Sequence, residues 1–308
     1  MNTKKQIVSS GKVYADIDVL ACVLAYSELL TLKGHQASGI ITGPWNQTIP
    51  NTIKKWPINI GKHFAATPTD QYSFILVDLS DPKFMEEFVL LENVVEVYDH
   101  HYGYEKFWKE RLPNYAYIEK VGACATLIWE KYKEDDCNSS ISSTSANLLY
   151  TAIFANTLNF KSGVTDERDL IAFEEISKYI NLPNEWKSIY YQEIAAGFDK
   201  ELSDHIKSDT KTINLEGLPF YFGQIEVWNA KSIIVDFTSR FTPLSDEEWL
   251  INIASIEEGR SYIYSNSARL RHKLLEIVDG KAVNEHFLKA HRLWLRKEIL
   301  RELLTPKT

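Results

Sequence analysis

Cysteine is scarce in this chain of 308 residues, which contains three: Cys22, Cys124 and Cys137. The number is odd, and the first two lie in segments typical of buried helix, which argues against a disulfide framework and against a thiolate metal site. The sequons at Asn46 and Asn138 then carry little weight, because glycosylation requires secretion. The cysteine content therefore favours a protein of the cytoplasm.

Long apolar runs are missing as well. Lys4 and Lys5 precede an apolar stretch, but Asp16 and Asp18 interrupt it before it reaches the length of a signal peptide. No other window offers the roughly 18 uninterrupted apolar residues that a membrane span needs. We expect a cytoplasmic protein without a membrane partner.

The chain has no excess of basic residues. It carries 34 Lys and Arg against 42 Asp and Glu, for a net charge of −8. Binding of duplex nucleic acid requires a basic face that neutralises phosphates, so this partner is disfavoured. A small anionic ligand would need only local cations or a metal ion. The sequence leaves the oligomeric state open, with a homodimer among the alternatives.

What is present is an ordinary globular composition, with 44% hydrophobic and 25% charged residues. The first half alternates short apolar strands with helices. Strands are predicted at 6–9, 37–41, 73–77 and 94–97, and helices at 17–33, 122–133, 144–158 and 166–180. This order predicts an α/β fold with a doubly wound, mostly parallel sheet, in which ligands bind beyond the carboxyl ends of the strands.

The pattern breaks around residues 181–188, which contain Pro183 and several polar residues. A chain of this length favours two domains, so we predict a first domain over 1–183 and a smaller α/β accessory domain over 189–308. In the second domain we predict helices at 189–206 and 283–304, and strands at 220–228, 232–237, 249–255 and 261–265.

Acidic and histidine side chains cluster at the predicted strand ends and first helical turns. Carboxylates with imidazole suit Mn²⁺ or Mg²⁺ better than a thiol-binding metal. Converging carboxylates without a cation would repel each other. Each position alone has an ordinary explanation, since a helix N-terminus favours Asp16 or Asp18 and a turn favours Asp78. Together these positions predict a metal site. The residues are Asp16, Asp18, Asp78, Asp99, His100 and His101.

The order of these motifs resembles the DHH phosphoesterase superfamily. The chain has ADID at 15–18, Asp78 after a later strand, DHH at 99–101, GACATLIWE at 122–130 and LLYTAIFANTLNFKS at 148–162. The last two are similar to the GSTATL and SDTLNFKS segments of that superfamily. The second half resembles, more faintly, the accessory domain of family II inorganic pyrophosphatases and short-chain exopolyphosphatases, with HIKSDTK at 205–211 and FGQIEVW at 222–228.

The resemblance implies two-metal catalysis, in which divalent cations bind a phosphoanhydride and activate water. By position, Asp16 and Asp78 would hold one cation, whereas Asp18, Asp78 and His100 would hold the other. His101 would contact phosphate or act as an acid towards the leaving group.

The resemblance also implies an active site in the cleft between the two domains. In the accessory domain, Lys211 and Arg271 would grip the terminal phosphate, and closure of the domains would exclude water.

Two positions depart from the family pattern. Lys12 stands where pyrophosphatases have a histidine and where exopolyphosphatases and prune-type proteins have an asparagine. A protonated lysine cannot ligate, but its ammonium could replace part of a cation's charge or contact phosphate. Asn156 stands where the family has an aspartate ligand, and its amide oxygen binds a hard cation without supplying charge. We expect weaker metal binding, with one or two ions.

Two functions follow from this combination of matches and departures. The first is a manganese- or magnesium-dependent phosphohydrolase that cleaves a phosphoanhydride or phosphoester, with pyrophosphate or short polyphosphate as the default substrate and a nucleotide next. The second is a catalytically weak phosphate- or nucleotide-binding protein with a degenerate metal centre, since function depends on the site and not on the fold.

Overall fold

The structure, a computed structural model, describes residues 4–64, 71–208, 210–241 and 247–304. Residues 1–3 and 65–70 of the first predicted domain lie outside the described residues. In the second predicted domain, residues 242–246 and 305–308 and position 209 of the HIKSDTK motif also lie outside them. The chain forms two compact units, one of Met1–Phe160 with Val164–Asn184 and the other of Lys161–Gly163 with Glu185–Thr308.

The first unit is built on a five-stranded sheet in which every pairing is parallel. Its strands are β1 (Lys5–Ser9), β2 (Ala37–Gly39), β3 (Tyr72–Val77), β4 (Val94–Asp99) and β5 (Ala116–Ile118). Their order across the sheet is β2-β1-β3-β4-β5. The predicted parallel α/β sheet is confirmed.

Six helices accompany this sheet among the described residues. They are α1 (Ile17–Leu32), α2 (Asn51–Lys54), α3 (Glu105–Arg111), α4 (Cys124–Glu134), α5 (Ser143–Asn156) and α6 (Glu167–Ile176). Successive residues of a strand point to opposite faces of a sheet. In β4, Val97 packs in a cluster with Trp108 of α3, whereas Tyr98 contacts Tyr26 of α1. Helices therefore cover both faces, as in a doubly wound fold.

The order of the strands creates a switch point between β1 and β3. The chain leaves β1 towards β2 on one side and returns to β3 on the other, so that connections diverge at the carboxyl ends of β1 and β3. Such a divergence opens a crevice where ligands bind in sheets of this kind. The segment after β1 leads to Asp16 and Asp18, and Asp78 directly follows β3.

Local sequence explains why these elements form. Strand β3 ends in Phe74–Val77, an apolar run that is fully buried, as expected for a central parallel strand. Helix α1 is apolar on all sides and almost completely buried. It begins at the cap residue Asp16, and Gly34 beyond its end has a φ of 83°, the left-handed stop that the sequence predicts.

The second unit contains a six-stranded sheet of order β10-β11-β9-β8-β7-β6, in which the β7–β8 pair is parallel and the others are antiparallel. Its strands are β6 (Thr210–Leu215), β7 (Leu218–Val227), β8 (Trp249–Ser255), β9 (Arg260–Ser265), β10 (Lys281–Ala282) and β11 (Phe287–Lys289). Its helices are α7 (Trp186–Ser208), α8 (Lys231–Arg240), α9 (Ala268–Ile277) and α10 (Arg296–Leu304).

Two predicted elements of this unit are wrong. The strand predicted at 232–237 lies in helix α8, where Ile233 and Phe237 are buried four residues apart. The single helix predicted at 283–304 is instead strand β11, which pairs with β9, followed by a short helix that begins only at Arg296. In both places packing against the sheet decides the structure of a short apolar segment that is ambiguous by itself.

None of the described helices is both long enough and apolar enough to cross a bilayer.

Candidate metal centre

Asp78 occupies the first position after β3, at the switch point of the sheet. Its φ is 54°, a left-handed conformation that is uncommon for residues other than glycine and tolerated best by Asp and Asn. Its amide donates to the carbonyl of Tyr98 at 2.8 Å, which fixes the turn. The side chain is 4% exposed, and its Oδ1 is a buried atom without a hydrogen-bond donor. Such an oxygen needs a cation or a proton, because an unpaired buried acceptor is costly.

Asp18 lies in the first turn of α1 and is held from below by the N-terminus of α4. Its Oδ2 accepts from the amide of Cys124 at 2.8 Å, and its Oδ1 accepts from the amide of Ala125 at 2.9 Å and from Sγ of Cys22 at 3.4 Å. The free amides of a helix N-terminus favour a carboxylate. The amides of α4 thus fix the orientation of the fully buried Asp18 carboxylate, although the two segments are far apart in sequence.

His100 turns its ring towards both carboxylates. Its Nδ1 lies 3.3 Å from the carbonyl of Val121, which can only accept, so Nδ1 carries the hydrogen. Nε2 then faces Oδ1 of Asp78 at 3.4 Å and Oδ2 of Asp18 at 3.9 Å. A histidine held by a backbone carbonyl through one nitrogen, with the other nitrogen beside carboxylates, is typical of a metal ligand.

Asp99 serves a different purpose from the other carboxylates. It is completely buried, and its Oδ1 accepts from the amides of His100 and His101, at 2.7 and 3.2 Å, and from Nδ1 of His101 at 2.8 Å. The imidazole of His101 is therefore oriented by Asp99, while 63% of its side chain remains exposed. Asp99 thus builds the DHH loop and positions the exposed histidine.

The pKa values reflect the crowding of carboxylates at this edge of the sheet. Burial, with a contribution from the charge of Asp78, raises the pKa of Asp18 to about 7. Burial and the charge of Asp16 raise the pKa of Asp78 well above its usual value. Burial also opposes ionisation of Asp99, but the hydrogen bond from His101 outweighs it and lowers the pKa of Asp99.

The pKa of His101 is raised, in the direction opposite to that of its partner Asp99. Partial desolvation of the ring on the side of the carboxylates lowers this pKa, but the hydrogen bond to Asp99 and the charge of Asp78 outweigh that effect and raise it to about 9. A divalent cation would relieve the repulsion between Asp18 and Asp78 and allow both to ionise.

A hard divalent cation fits this cluster. One ligand atom each from Asp78, His100 and His101 lies within 4.8 Å of the others, the one such group found among the described residues. The donors are carboxylate oxygen and imidazole nitrogen, which suit Mn²⁺ or Mg²⁺. The buried Oδ1 of Asp78, which lacks a donor, is the observation that most directly calls for an ion.

Three other predicted site residues contact groups other than the side chains of Asp78 and His100. Asp16 caps α1, with its Oδ1 accepting from the amides of Asp18 and Val19 at 3.0 and 2.9 Å. Lys12 is exposed, and its ammonium lies 3.9 Å from the carboxylate of Glu87. Asn156, the last residue of α5, donates from its amide nitrogen to the carbonyl of Ala152 at 3.2 Å, within its own helix.

The two predicted substrate-binding residues lie in the second unit. Lys211 is an exposed residue of strand β6. Arg271 lies in helix α9, where its Nη1 donates to the carbonyl of Ser265 at 2.7 Å. The guanidinium is thus anchored to the backbone of its own unit.

Sequence reasoning missed the groups that position the ligands. The amides of Cys124 and Ala125 and the carbonyl of Val121 are backbone atoms, which no side-chain pattern identifies. The resemblance of GACATLIWE, residues 122–130, to a superfamily motif was the available signal, since this segment supplies the two amides and directly follows Val121. Cys22 was assigned to the core alone, and it also donates to Asp18.

The chain is similar to known proteins in sequence and in fold. It is 26% identical over 222 residues to a probable manganese-dependent inorganic pyrophosphatase of Lactobacillus delbrueckii subsp. bulgaricus, covering 69% of this chain and 67% of that one. A probable manganese-dependent inorganic pyrophosphatase of Bacillus cytotoxicus is 25% identical over 282 residues, covering 91% and 87%. No protein-family model matches the chain.

Two solved structures share the fold. A Methanococcus jannaschii protein assigned to the family II inorganic pyrophosphatases superposes with a TM-score of 0.64 at 19% identity, covering 97% of this chain and 100% of that one. An exopolyphosphatase-related protein from Bacteroides fragilis gives a TM-score of 0.53 at 13% identity, covering 97% and 90%. The resemblance to family II inorganic pyrophosphatases, predicted from the motifs, is confirmed.

Proposed function

We propose that this protein is a divalent-metal-dependent hydrolase that cleaves the phosphoanhydride bond of pyrophosphate or of a short polyphosphate, with manganese as the first candidate cation and magnesium as the second. The observation that carries the proposal is the buried Oδ1 of Asp78, which has no hydrogen-bond donor and lies 3.4 Å from Nε2 of His100. The sequence relatives named as manganese-dependent pyrophosphatases support the choice of substrate and metal.

Asp18, Asp78 and His100 are the residues that would hold the cation. Asp18 and His100 are immobilised by backbone groups, and Asp78 is fixed by its turn, so the three donors are oriented before any ion arrives. A bound divalent cation supplies Lewis-acid stabilisation of the negative charge on phosphoryl oxygens. Asn156 and Asp16 remain proposed ligands that would join through their free oxygens.

His101 is the proposed acid and phosphate contact. Its exposed ring is held by Asp99 through Nδ1, which leaves Nε2 as the atom that can donate a proton to the leaving phosphate. Lys12 is exposed after β1 and is proposed to contact phosphate with its ammonium.

The second unit is proposed to be the accessory, substrate-binding domain. Lys211 is exposed on β6, and Arg271 keeps guanidinium nitrogens in addition to the one that donates to Ser265. A guanidinium can bind a phosphate through two parallel hydrogen bonds, which makes Arg271 the proposed anchor of the terminal phosphate.

The remaining features of the proposal concern the setting of the enzyme. We place it in the cytoplasm, because its three cysteines are free, as is usual in a reducing compartment. The substrate is a small phosphate compound and not duplex nucleic acid, since the net charge is −8. A homodimer is compatible with the proposal and is not required by it.

The test is release of phosphate from pyrophosphate, tripolyphosphate and a nucleotide panel, with Mn²⁺ and with EDTA. We expect turnover of pyrophosphate or tripolyphosphate that EDTA abolishes. Asp78→Asn is expected to lower turnover at least about 100-fold, because it removes the proposed ligand charge. Asp204→Asn, which alters an exposed carboxylate of helix α7, is the matched control and should turn over at the wild-type rate.

Lys12 and Asn156 favour a second candidate, a phosphate-binding protein with a weak metal centre. Binding of pyrophosphate without turnover of any substrate would establish that alternative and reject the enzyme. Turnover that survives Asp78→Asn would show that this carboxylate has been given the wrong role.

A further inference from the structure

The charges at the carboxyl ends of β1 and β3 can be counted. Asp16, Asp18 and Asp78 supply three carboxylates, whereas Asp99 is matched by the imidazole of His101. The ammonium of Lys12, on the segment between β1 and Asp16, lies 3.9 Å from the carboxylate of Glu87 and adds no ligand to this set. Two divalent cations would bring four positive charges to three carboxylates and leave an excess positive charge beside buried side chains, which is costly.

Half of the cluster is built to receive an ion. Asp18 is 1% exposed and Asp78 is 9% exposed, and both lie against the same nitrogen of His100. Asp18 is held by two amides of α4, and the ring of His100 is held by the carbonyl of Val121. These three donors are rigid, and they follow three different strands of the first unit, β1, β3 and β4.

The other half lacks the corresponding donors. Asp16 is partly exposed, and one of its oxygens caps α1 through two amides. Lys12 presents an ammonium instead of a neutral ligand, and that ammonium lies closest to Glu87 on the surface. A second ion would thus have the remaining oxygen of Asp16 and a share of Asp78, which is too few protein ligands for a stable site.

We propose that the centre takes up one divalent cation per chain, bound by Asp18, Asp78 and His100, and that Lys12 prevents binding of a second. This inference rests on the proposed function and departs from the two ions that the resemblance implies. The neutral Asn156 acts in the same direction, because it withholds one negative charge that a second ion would require.

The experiment measures stoichiometry and not activity. Full-length protein is stripped with EDTA, dialysed against Mn²⁺ at increasing concentrations up to saturation, and analysed for manganese and protein content. We expect a plateau at one Mn²⁺ per chain. Electron paramagnetic resonance of the same samples should give the signal of isolated Mn²⁺ ions, because two ions a few ångströms apart would be magnetically coupled.

A gain-of-function variant provides the converse measurement. Lys12→His combined with Asn156→Asp replaces the ammonium with a neutral ligand and restores one carboxylate. We expect its plateau to rise to two Mn²⁺ per chain and a coupled signal to appear. The matched control combines Lys178→His with Asn114→Asp, which changes the net charge by the same amount at exposed positions. This control should still bind one Mn²⁺ per chain.

The possible outcomes separate this inference from the proposed function. Two Mn²⁺ per wild-type chain would overturn the inference and leave a metal-dependent hydrolase intact. No uptake of Mn²⁺ at saturating concentration would overturn both. One ion in the wild type and also in a folded Lys12→His, Asn156→Asp variant would reject Lys12 as the group that prevents binding of the second ion.

Discussion

Asp99 gives two adjacent histidines different surroundings. It holds the ring of His101 through Nδ1 at 2.8 Å, whereas the ring of His100 is held by the carbonyl of Val121. His100 is thereby turned towards Asp18 and Asp78, and its side chain is 9% exposed. His101 remains 63% exposed. One residue is therefore suited to hold an ion, and its neighbour is suited to meet a ligand that arrives from solvent.

This difference leads to a prediction for His101→Gln. Glutamine keeps polarity at this position but cannot serve as an acid, so we expect kcat to fall about 100-fold or more. The number of Mn²⁺ ions bound per chain should not change, because Asp18, Asp78 and His100 retain their supports. Steady-state kinetics and equilibrium dialysis on the same preparation check the two statements.

His100→Gln is the comparison, and it should lose Mn²⁺ binding together with turnover. If His101→Gln lost the ion as well, His101 would have to be counted among the ligands, as its distance to Asp78 and His100 allows.

Helix α4 links the metal centre to the core of the first unit. Its first amides hold Asp18, and the residue two positions earlier, Gly122, donates from its amide to the buried carboxylate of Asp169 at 2.7 Å. A Cβ on Gly122 would lie 2.6 Å from Oδ2 of Asp169 and 2.6 Å from Cγ2 of Thr157. Position 122, two residues before α4, therefore has no room for a side chain.

We predict that Gly122→Ala destabilises the protein by about 1–3 kcal/mol, because neither contact can yield without disturbing a buried group. The shift of α4 that relieves the clash should also weaken Mn²⁺ binding through Asp18. Urea unfolding and Mn²⁺ titration measure the two effects.

Gly61→Ala is the control, since a Cβ there would meet its nearest neighbour at 3.5 Å, an ordinary contact. Equal stability of the two variants would show that the segment before α4 adapts more easily than the structure indicates.

At the scale of the whole molecule, the ion and the first unit should unfold together. A ligand that binds only the folded state stabilises it, by about 2.7 kcal/mol when its concentration is 100 times the dissociation constant. The proposed ligands Asp18, Asp78 and His100 all lie in the first unit. The unfolding temperature of the first unit should therefore rise with Mn²⁺ concentration. The second unit contains none of these ligands, so its unfolding temperature should not depend directly on Mn²⁺.

We predict that calorimetry of the EDTA-treated protein shows a transition that moves to higher temperature when Mn²⁺ is added. Asp78→Asn should abolish this shift, and Asp204→Asn should preserve it. A shift of the same size in Asp78→Asn would mean that manganese stabilises the protein from another site.

The sequence predicted the first unit better than the second, and the reason is physical. Strands β1, β3 and β4 are buried by neighbours on both sides, so their apolar runs and the acidic residues that follow them identify both the strands and the edge where side chains meet. In the second unit, residues 232–237 are equally apolar but lie in helix α8, because Ile233 and Phe237 are buried on one helical face.

The centre itself was only partly predictable. Side chains of Asp18, Asp78 and His100 were identified from their positions after strands, but the backbone groups that orient Asp18 and His100 are not identified by any side-chain pattern. A helix cap is the ordinary explanation for an aspartate at position 16, and the structure shows that Asp16 caps α1. Whether Asp16 ligates as well stays a prediction.

The left-handed backbone at Asp78 has a consequence for how such a protein responds to selection. Glycine adopts this conformation without steric cost, so a variant with glycine at this position would gain in the ion-free state while losing the carboxylate. A library screened for heat resistance in chelator would enrich glycine there, and the same library screened with manganese would retain aspartate. The two media would thus select different residues at position 78: glycine for the left-handed backbone, and aspartate for binding of the ion.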